Sequence, residues 1–300
     1  MKCEMPGIMR SKLFVPAGSP ALFPKALASQ ADAICFDLED SVLPLRKAEA
    51  RDTLRAFLGN GLHTEKLITV RVNHARSAFF AEDLSAVASP AVSLLVLPKV
   101  ENPSEIEDVA SALSALEKER NVERPIAIAA TVESPRGLRL AREIAECDDR
   151  VVALQIGLAD LFGSLGIEPG NPFAAHQVRF MLRIAAGEAG VPCFDSAYSD
   201  IEDEEGFTRE ANMARSLGFV GKSCIHPCQV PIANRIFSPQ PEEIRSSLRI
   251  SEAGRKAAMA GAGAFKLDGR MIDEPIIKRA EAILELAKKL HLLEPGGQEN

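Results

Sequence analysis

Six short apolar runs along this chain end in residues able to do acid–base or metal chemistry. They close in Phe36-Asp37-Leu38-Glu39-Asp40, Val70-Arg71-Val72-Asn73, Pro98-Lys99, Thr131-Val132-Glu133, Gly157-Leu158-Ala159-Asp160 and Ile225-His226. Carboxylates with no Cys/His cluster beside them suit a hard cation, and Mg²⁺ keeps several waters beside one or two protein carboxylates. Glu133 and Asp160 are the expected direct ligands, with Glu39 and Asp40 placed to hold the metal's waters. Arg71 supplies one positive charge to three acidic strand ends, so a further cation between them is expected. His226 is followed by Pro227 and has no His-x-x-x-His partner, which makes it a loop contact rather than a ligand. Each acid also has a purely structural reading. Asp40 could cap the helix beyond it, Glu133 could be a first-turn acid favoured by the helix dipole, and Arg71 could balance its acidic neighbours.

These residues share a site only if the elements that carry them bring their ends to one rim. Short apolar runs alternate with longer amphipathic ones, the signature of repeated βα units. Strands are expected at 12–15, 33–37, 67–71, 93–97, 126–132, 151–156, 193–194 and 221–225. The helices between them start at Ser19-Pro20, Pro44, Glu82, Asn102-Pro103, Ser134-Pro135, Ala175 and Asp203. A Gly/Pro-rich loop is expected from Gly157 through Pro172. Eight strands with their helices in about 240 residues fit an α/β fold of the closed (β/α)₈ TIM barrel type, whose active sites lie at the C-terminal ends of the strands. An open doubly wound sheet is the alternative, but no Gly-x-Gly-x-x-Gly marks a first βα turn. The expected division is a barrel over 1–239 and a C-terminal helical arm over 240–300. The arm comprises a charged helix (242–259), a polar turn (266–273), an amphipathic helix (275–293) and a loose tail (295–300).

Composition narrows the partners. The 300 residues carry 35 Lys plus Arg against 42 Asp plus Glu, a net charge of −7, with no Trp and a single Tyr. Such a chain offers neither a basic track for phosphates nor aromatic platforms for bases, so nucleic acid is excluded as a partner. The N-terminus has no signal-peptide pattern, and no run approaches the ~18 apolar residues of a membrane span. Six scattered cysteines show no paired metal spacing, which fits reduced, mostly buried thiols in a cytoplasmic protein.

Taken together, these segments resemble the citrate lyase β-subunit and malyl-CoA lyase family, Mg²⁺-dependent CoA-thioester lyases built on a (β/α)₈ barrel. The matching stretches run in order along nearly the whole chain: Leu13–Pro16, Ala31–Val42, Lys47–Arg51, Arg71–Asn73, Leu97–Glu101, Val132–Pro135, Gly157–Asp160, Phe194–Asp200, Gly221–Pro227 and Asp268–Asp273. The resemblance implies that Glu133 and Asp160 bind the metal, that Arg71 binds a substrate oxygen, and that Ile225 and His226 lie along the CoA chain. It also implies that Asp273 is the acid/base, delivered from an adjacent subunit of a homo-oligomer, a trimer or hexamer. The implied reaction is reversible retro-Claisen cleavage of a 3-hydroxyacyl thioester. The first βα turn departs from the family, reading Ala17-Gly18-Ser19-Pro20 where a basic residue is common.

The favoured expectation is a free-standing lyase acting on citramalyl-CoA or malyl-CoA, releasing acetyl-CoA with pyruvate or glyoxylate. A citrate lyase β chain, working on citryl groups carried by an acyl-carrier protein, is the alternative. A CoA-independent aldolase on the same barrel would need a His base after the second strand, and Glu39-Asp40-Ser41 has none. A barrel that binds a thioester without cleaving it, as a non-catalytic subunit, is the remaining reading.

Overall fold

In a computed structural model of the chain, which describes residues 3–59 and 62–293, eight apolar runs pair in sequence order into a closed, all-parallel barrel. The first pairs are β1 (Ser11–Pro16), α1 (Phe23–Leu27), β2 (Ala33–Asp37), α2 (Lys47–Gly59), β3 (Leu67–Arg71), α3 (Phe80–Val87), β4 (Leu94–Leu97) and α4 (Pro103–Arg120). They are followed by β5 (Ala127–Val132), α5 (Pro135–Arg139), α6 (Ala141–Glu146), β6 (Val151–Ile156), α7 (Leu158–Leu165) and α8 (Pro172–Ala189). Then come β7 (Cys193–Asp195), α9 (Glu204–Ser216), β8 (Gly221–Cys224) and α10 (Gln229–Ile236). Strand β8 returns to pair with β1, Lys12 opposite Ser223, which closes the ring. This is the (β/α)₈ barrel expected from the sequence.

Alternation along the strands separates the two faces of the barrel wall. Phe36 of β2 points outward into an aromatic cluster with Phe23 of α1 and Phe57 of α2, at centroid distances of 4.7 and 5.5 Å. Its neighbours Cys35 and Asp37 therefore face the barrel axis. The apolar cluster of Met9, Ala33, Leu94, Ala127, Ala129, Ala153 and Phe194 fills part of the interior with mostly small side chains. Lys12 also points inward: its Nζ crosses the barrel from β1 to bond Gln155 of β6.

Several expected elements shift for local reasons. Pro24 follows so closely on Pro20 that the first helix splits into a 3₁₀ turn at 20–22 and the short α1. The helix expected from Ser134 breaks at Leu140, where ψ is 14°, into α5 and α6. The stretch expected to be a loop from Gly157 contains α7, whose Gly166 takes the left-handed C-cap conformation. That helix matters here because Asp160 stands in its first turn.

Contacts divide the chain into two units, 1–235 and 236–300. The second unit holds α11 (Pro241–Met259), the hairpin β9 (Phe265–Leu267) with β10 (Arg270–Ile272), and α12 (Glu274–Lys289). The expected polar turn at 266–273 is this hairpin, turned at Asp268 and Gly269, both at positive φ. Asp273 is the N-cap of α12. The tail expected at 295–300 lies outside the described residues. Among the described residues no helix is long and apolar enough to cross a membrane.

Candidate active site

Parallel strands carry their C-terminal residues to one rim, and there the acids of β2, β5 and β6 meet two cations. Arg71, closing β3, is clamped by Asp37, closing β2, through Nε–Oδ1 at 2.6 Å and Nη2–Oδ2 at 2.7 Å. Its third nitrogen, Nη1, lies 2.8 Å from Glu39 Oε2 and 3.6 Å from Asp40 Oδ2. Burial works against the Asp37 carboxylate, but the two hydrogen bonds and the charge of Arg71 outweigh it and hold Asp37 below the usual carboxylate range. The bidentate fork fixes the guanidinium plane, so Arg71 is oriented before any ligand arrives.

Lys99 is the second cation; the sequence placed it at a strand end without assigning it a role. Its Nζ lies 2.8 Å from Glu39 Oε1 and 3.6 Å from Asp40 Oδ1. Burial opposes its charge, but Glu39, Asp40 and Asp160 together keep it more basic than an ordinary lysine. The backbone at Lys99 is left-handed, φ 55°, an uncommon conformation for a residue with a Cβ. That turn aims the Lys99 amide at Glu133 Oε1, 2.7 Å away. The sequence showed a lysine at a strand end but gave no sign of this conformation. Arg71 is therefore not alone in balancing the acids, as the sequence had implied.

Glu133 follows β5 and is buried. Burial, reinforced by the charges of Glu39 and Asp160, pushes its carboxyl up to about 8 despite the Lys99 amide. Its other oxygen, Oε2, faces Gly157, where an added Cβ would overlap it. The absence of a side chain at 157 is what makes room for the carboxylate. Glu39 is also buried, and burial raises it in the same direction. Its Oε2 lies close to Arg71 but out of line for a hydrogen bond, leaving a buried oxygen with no hydrogen-bond partner among the described residues.

Two buried lysines brace this rim from behind. Lys47 of α2 donates to the carbonyls of Leu38 and Glu39, at 2.8 and 2.9 Å, holding the loop that carries Glu39 and Asp40. Lys12 lies 5.3 Å from the Phe14 ring centroid, and the Arg71 guanidinium carbon lies 5.1 Å from the same ring. On the loop after β8, the Ile225 amide donates to Gln229 Oε1, and Gln229 Nε2 donates to the Tyr198 carbonyl. This loop stands at the same barrel end as the acids and presents Ile225 and His226 to solvent.

The structure thus brings Arg71, Glu39, Asp40, Glu133 and Asp160 to one rim, as their placement at strand ends required. Asp273 belongs to the second unit. No three His, Cys, Asp or Glu side chains among the described residues converge as a complete ligand set. The residues present nonetheless fit a hard cation. Mg²⁺ needs only one or two carboxylates, and a buried Glu133 beside Asp160 would supply them, with Glu39, paired to Arg71 and Lys99, next to its waters.

A parallel eight-stranded barrel with its acids and bases gathered at the strand C-termini defines the class of (β/α)₈ enzymes. Within that class the chain belongs to the HpcH/HpaI aldolase/citrate lyase family, which it matches over residues 10–227. It is 36% identical to the citrate lyase subunit beta of Haemophilus influenzae, covering 94% of this chain and 97% of that protein. It is 32% identical to an L-malyl-CoA/beta-methylmalyl-CoA lyase of Cereibacter sphaeroides, covering 94% and 95%. Among solved structures, CitE from Mycobacterium tuberculosis in complex with magnesium, acetoacetate and coenzyme A superposes with a TM-score of 0.78. That structure is 32% identical over 94% of this chain and 99% of its own. The protein is a carbon–carbon lyase of this family.

Proposed function

We propose that this lyase cleaves a 3-hydroxyacyl-CoA thioester, citramalyl-CoA or malyl-CoA, to acetyl-CoA and a 2-oxo acid, pyruvate or glyoxylate. The observation that carries the reading is the buried Glu133 carboxyl, held by the Lys99 amide beside Asp160 in a place kept clear by Gly157. Burial and the neighbouring acids disfavour its charge, and a bound cation would favour the ionised form. Glu133 and Asp160 would hold Mg²⁺, with Glu39 and Asp40 orienting its waters. Bound there, the ion would supply Lewis-acid polarisation of the substrate's hydroxyl and carboxylate oxygens.

The remaining work falls to this chain's own side chains. Arg71, oriented by Asp37, stabilises negative charge where the thioester oxygen becomes an enolate oxygen. Lys99 holds the Glu39 carboxylate in place and gives its amide to Glu133. Asp273, contributed by a neighbouring copy in a homotrimer or hexamer, protonates the enolate carbon to give the acetyl group, and removes that proton in the reverse direction. Ile225 and His226 border the CoA chain. CoA bound to the CitE neighbour supports a CoA thioester as the substrate class. All six cysteines are free thiols, in keeping with a reducing cytoplasm.

The 36% identity to a citrate lyase beta subunit favours one second reading, in which the thioester is citryl on an acyl-carrier protein. An acetyl-thioester release assay with malyl-CoA, citramalyl-CoA and a citryl thioester on an acyl-carrier protein separates the two. Release from malyl- or citramalyl-CoA by the free-standing chain is expected. Release from a citryl thioester alone would establish the second reading. No release from any of the three, with Mg²⁺ present, would leave the barrel a non-catalytic thioester binder.

A further inference from the structure

The loop after β8 carries a nucleophile that the lyase chemistry leaves unused. Cys228 is the exposed cysteine of the six. Burial pushes the thiols of Cys147 up to about 11 and of Cys193 and Cys224 up to about 12, and raises Cys35 as well, so those four stay protonated, three of them buried and Cys147 half-buried. Cys228 Sγ lies 2.9 Å from His226 Nδ1, with only Pro227 between the two residues in sequence. The Cys228 amide also donates to that nitrogen, at 3.3 Å, which marks Nδ1 as the accepting nitrogen and leaves the ring proton on Nε2. The thiol is thus aimed at a base.

The pair is also held in place. The Gln229 amide donates to the His226 carbonyl at 3.1 Å and the Val230 amide to the Pro227 carbonyl at 3.2 Å, so the turn that carries both side chains is fixed by the start of α10. Gln229 itself ties Ile225 to Tyr198 on the β7 side. Both ring and thiol face solvent. A nucleophile within reach of a base on a rigid, open turn is the arrangement that activates thiols.

We propose that Cys228 and His226 form a thiol–imidazole pair that undergoes exchange with low-molecular-weight disulfides, placing a reversible mixed disulfide on the active-site rim that shuts off the lyase. In the exchange, His226 Nδ1 takes the Cys228 proton and the sulfur attacks one sulfur of the incoming disulfide. A new S–S bond forms, the old one breaks, and the departing thiolate recovers the proton from the imidazolium. The incoming disulfide is the oxidant: one of its sulfurs leaves as a thiol while the Cys228 sulfur is oxidised into the mixed disulfide. The inhibitory half rests on the proposed function, which runs the CoA chain past Ile225 and His226.

The test treats the full-length protein with glutathione disulfide or with CoA disulfide and follows intact mass, peptide mapping and acetyl-CoA release. Both reagents are expected to add one group per chain, at Cys228, and to suppress release until a reductant restores it. Faster addition from CoA disulfide would name CoA as the physiological source, and equal rates would name the general thiol pool. Cys228→Ser is expected to keep untreated activity and lose both the adduct and the inhibition. His226→Gln, read by adduct rate alone, is expected to slow addition by about tenfold or more. Addition at another cysteine, an unchanged rate in His226→Gln, or an adduct that leaves release intact would each overturn the inference. A His226-dependent adduct on a chain with no lyase activity would instead fault the proposed function and leave the exchange chemistry standing.

Discussion

Replacing Asp273 with Asn keeps the size of the side chain and removes its capacity to carry the transferred proton. Turnover is expected to fall by about 10²-fold or more while Mg²⁺ affinity, measured by titration calorimetry, stays at the wild-type value. Near-normal turnover would remove Asp273 from the acid/base role. At Gly157 the prediction is reversed. Gly157→Ala puts a Cβ against both Oε2 and Cβ of the buried Glu133, so the side chain must shift: Mg²⁺ affinity should drop by about tenfold or more, and the melting temperature should fall as well. Lys12 gives a pH signature. Burial lowers its ammonium from 10.5 to about 8, so below about pH 8 the folded protein carries a buried charge at full cost, about 3 kcal/mol. Between about 8 and 10.5 the folded state sheds this proton while the unfolded chain keeps it, and stability from this group rises with pH. The stability difference between Lys12→Met and wild type should therefore shift against the variant across that interval. A pH-independent difference in urea melts would contradict a charged Lys12. The acids and Arg71 were legible as residues because each closes an apolar run. Lys99 was legible as a strand end but not in its role, and Lys12 not at all, since a left-handed turn and a cross-barrel hydrogen bond leave no mark in a single sequence.

The elements explain why the rim stays in place. Between β7, β8, α8 and α9 lies a network outside the barrel wall in which Arg179, Asp195 and Lys222 are fully buried and Glu210 is partly so. Arg179 Nε meets Asp195 Oδ1 at 2.7 Å, Lys222 Nζ meets Asp195 Oδ2 at 2.6 Å, and Arg179 and Lys222 both reach Glu210, at 2.8 and 3.3 Å. Removing Asp195 would leave two enclosed cations with one partner between them. Asp195→Ala is accordingly expected to destabilise the protein by about 3–5 kcal/mol in a denaturant melt. A loss under 1 kcal/mol would show the network to be dispensable. Period and punctuation made all eight strands legible to within about two residues, because buried parallel strands read as apolar runs bounded by turns. The helices were less legible. The α7 segment, Leu158–Leu165, was hidden by the Gly and Pro residues around it, although its first turn carries Asp160. The hairpin at Phe265–Ile272 is too short and polar to show a two-residue period.

For the whole molecule, the sequence argued for one barrel and an arm, and contacts divide the chain after Arg235. If the arm of one copy completes the site of the next, two inactive variants should rescue each other. Mixing Asp273→Asn with Arg71→Ala and allowing subunits to exchange is expected to restore part of the activity. Each mixed assembly would then contain sites with an intact Arg71 and an intact Asp273. No recovery, with exchange verified by native mass spectrometry, would place Asp273 in its own chain's site or outside any site. The excess acidity of the chain takes on meaning at this scale as well, since part of it is a rim that a divalent cation would neutralise. The most direct test of the account is acetyl-CoA release from citramalyl-CoA or malyl-CoA by the full chain, with Mg²⁺ and after exhaustive chelation. The account predicts release that vanishes on chelation and returns when Mg²⁺ is added back. Release that persists at full rate without the metal would contradict it.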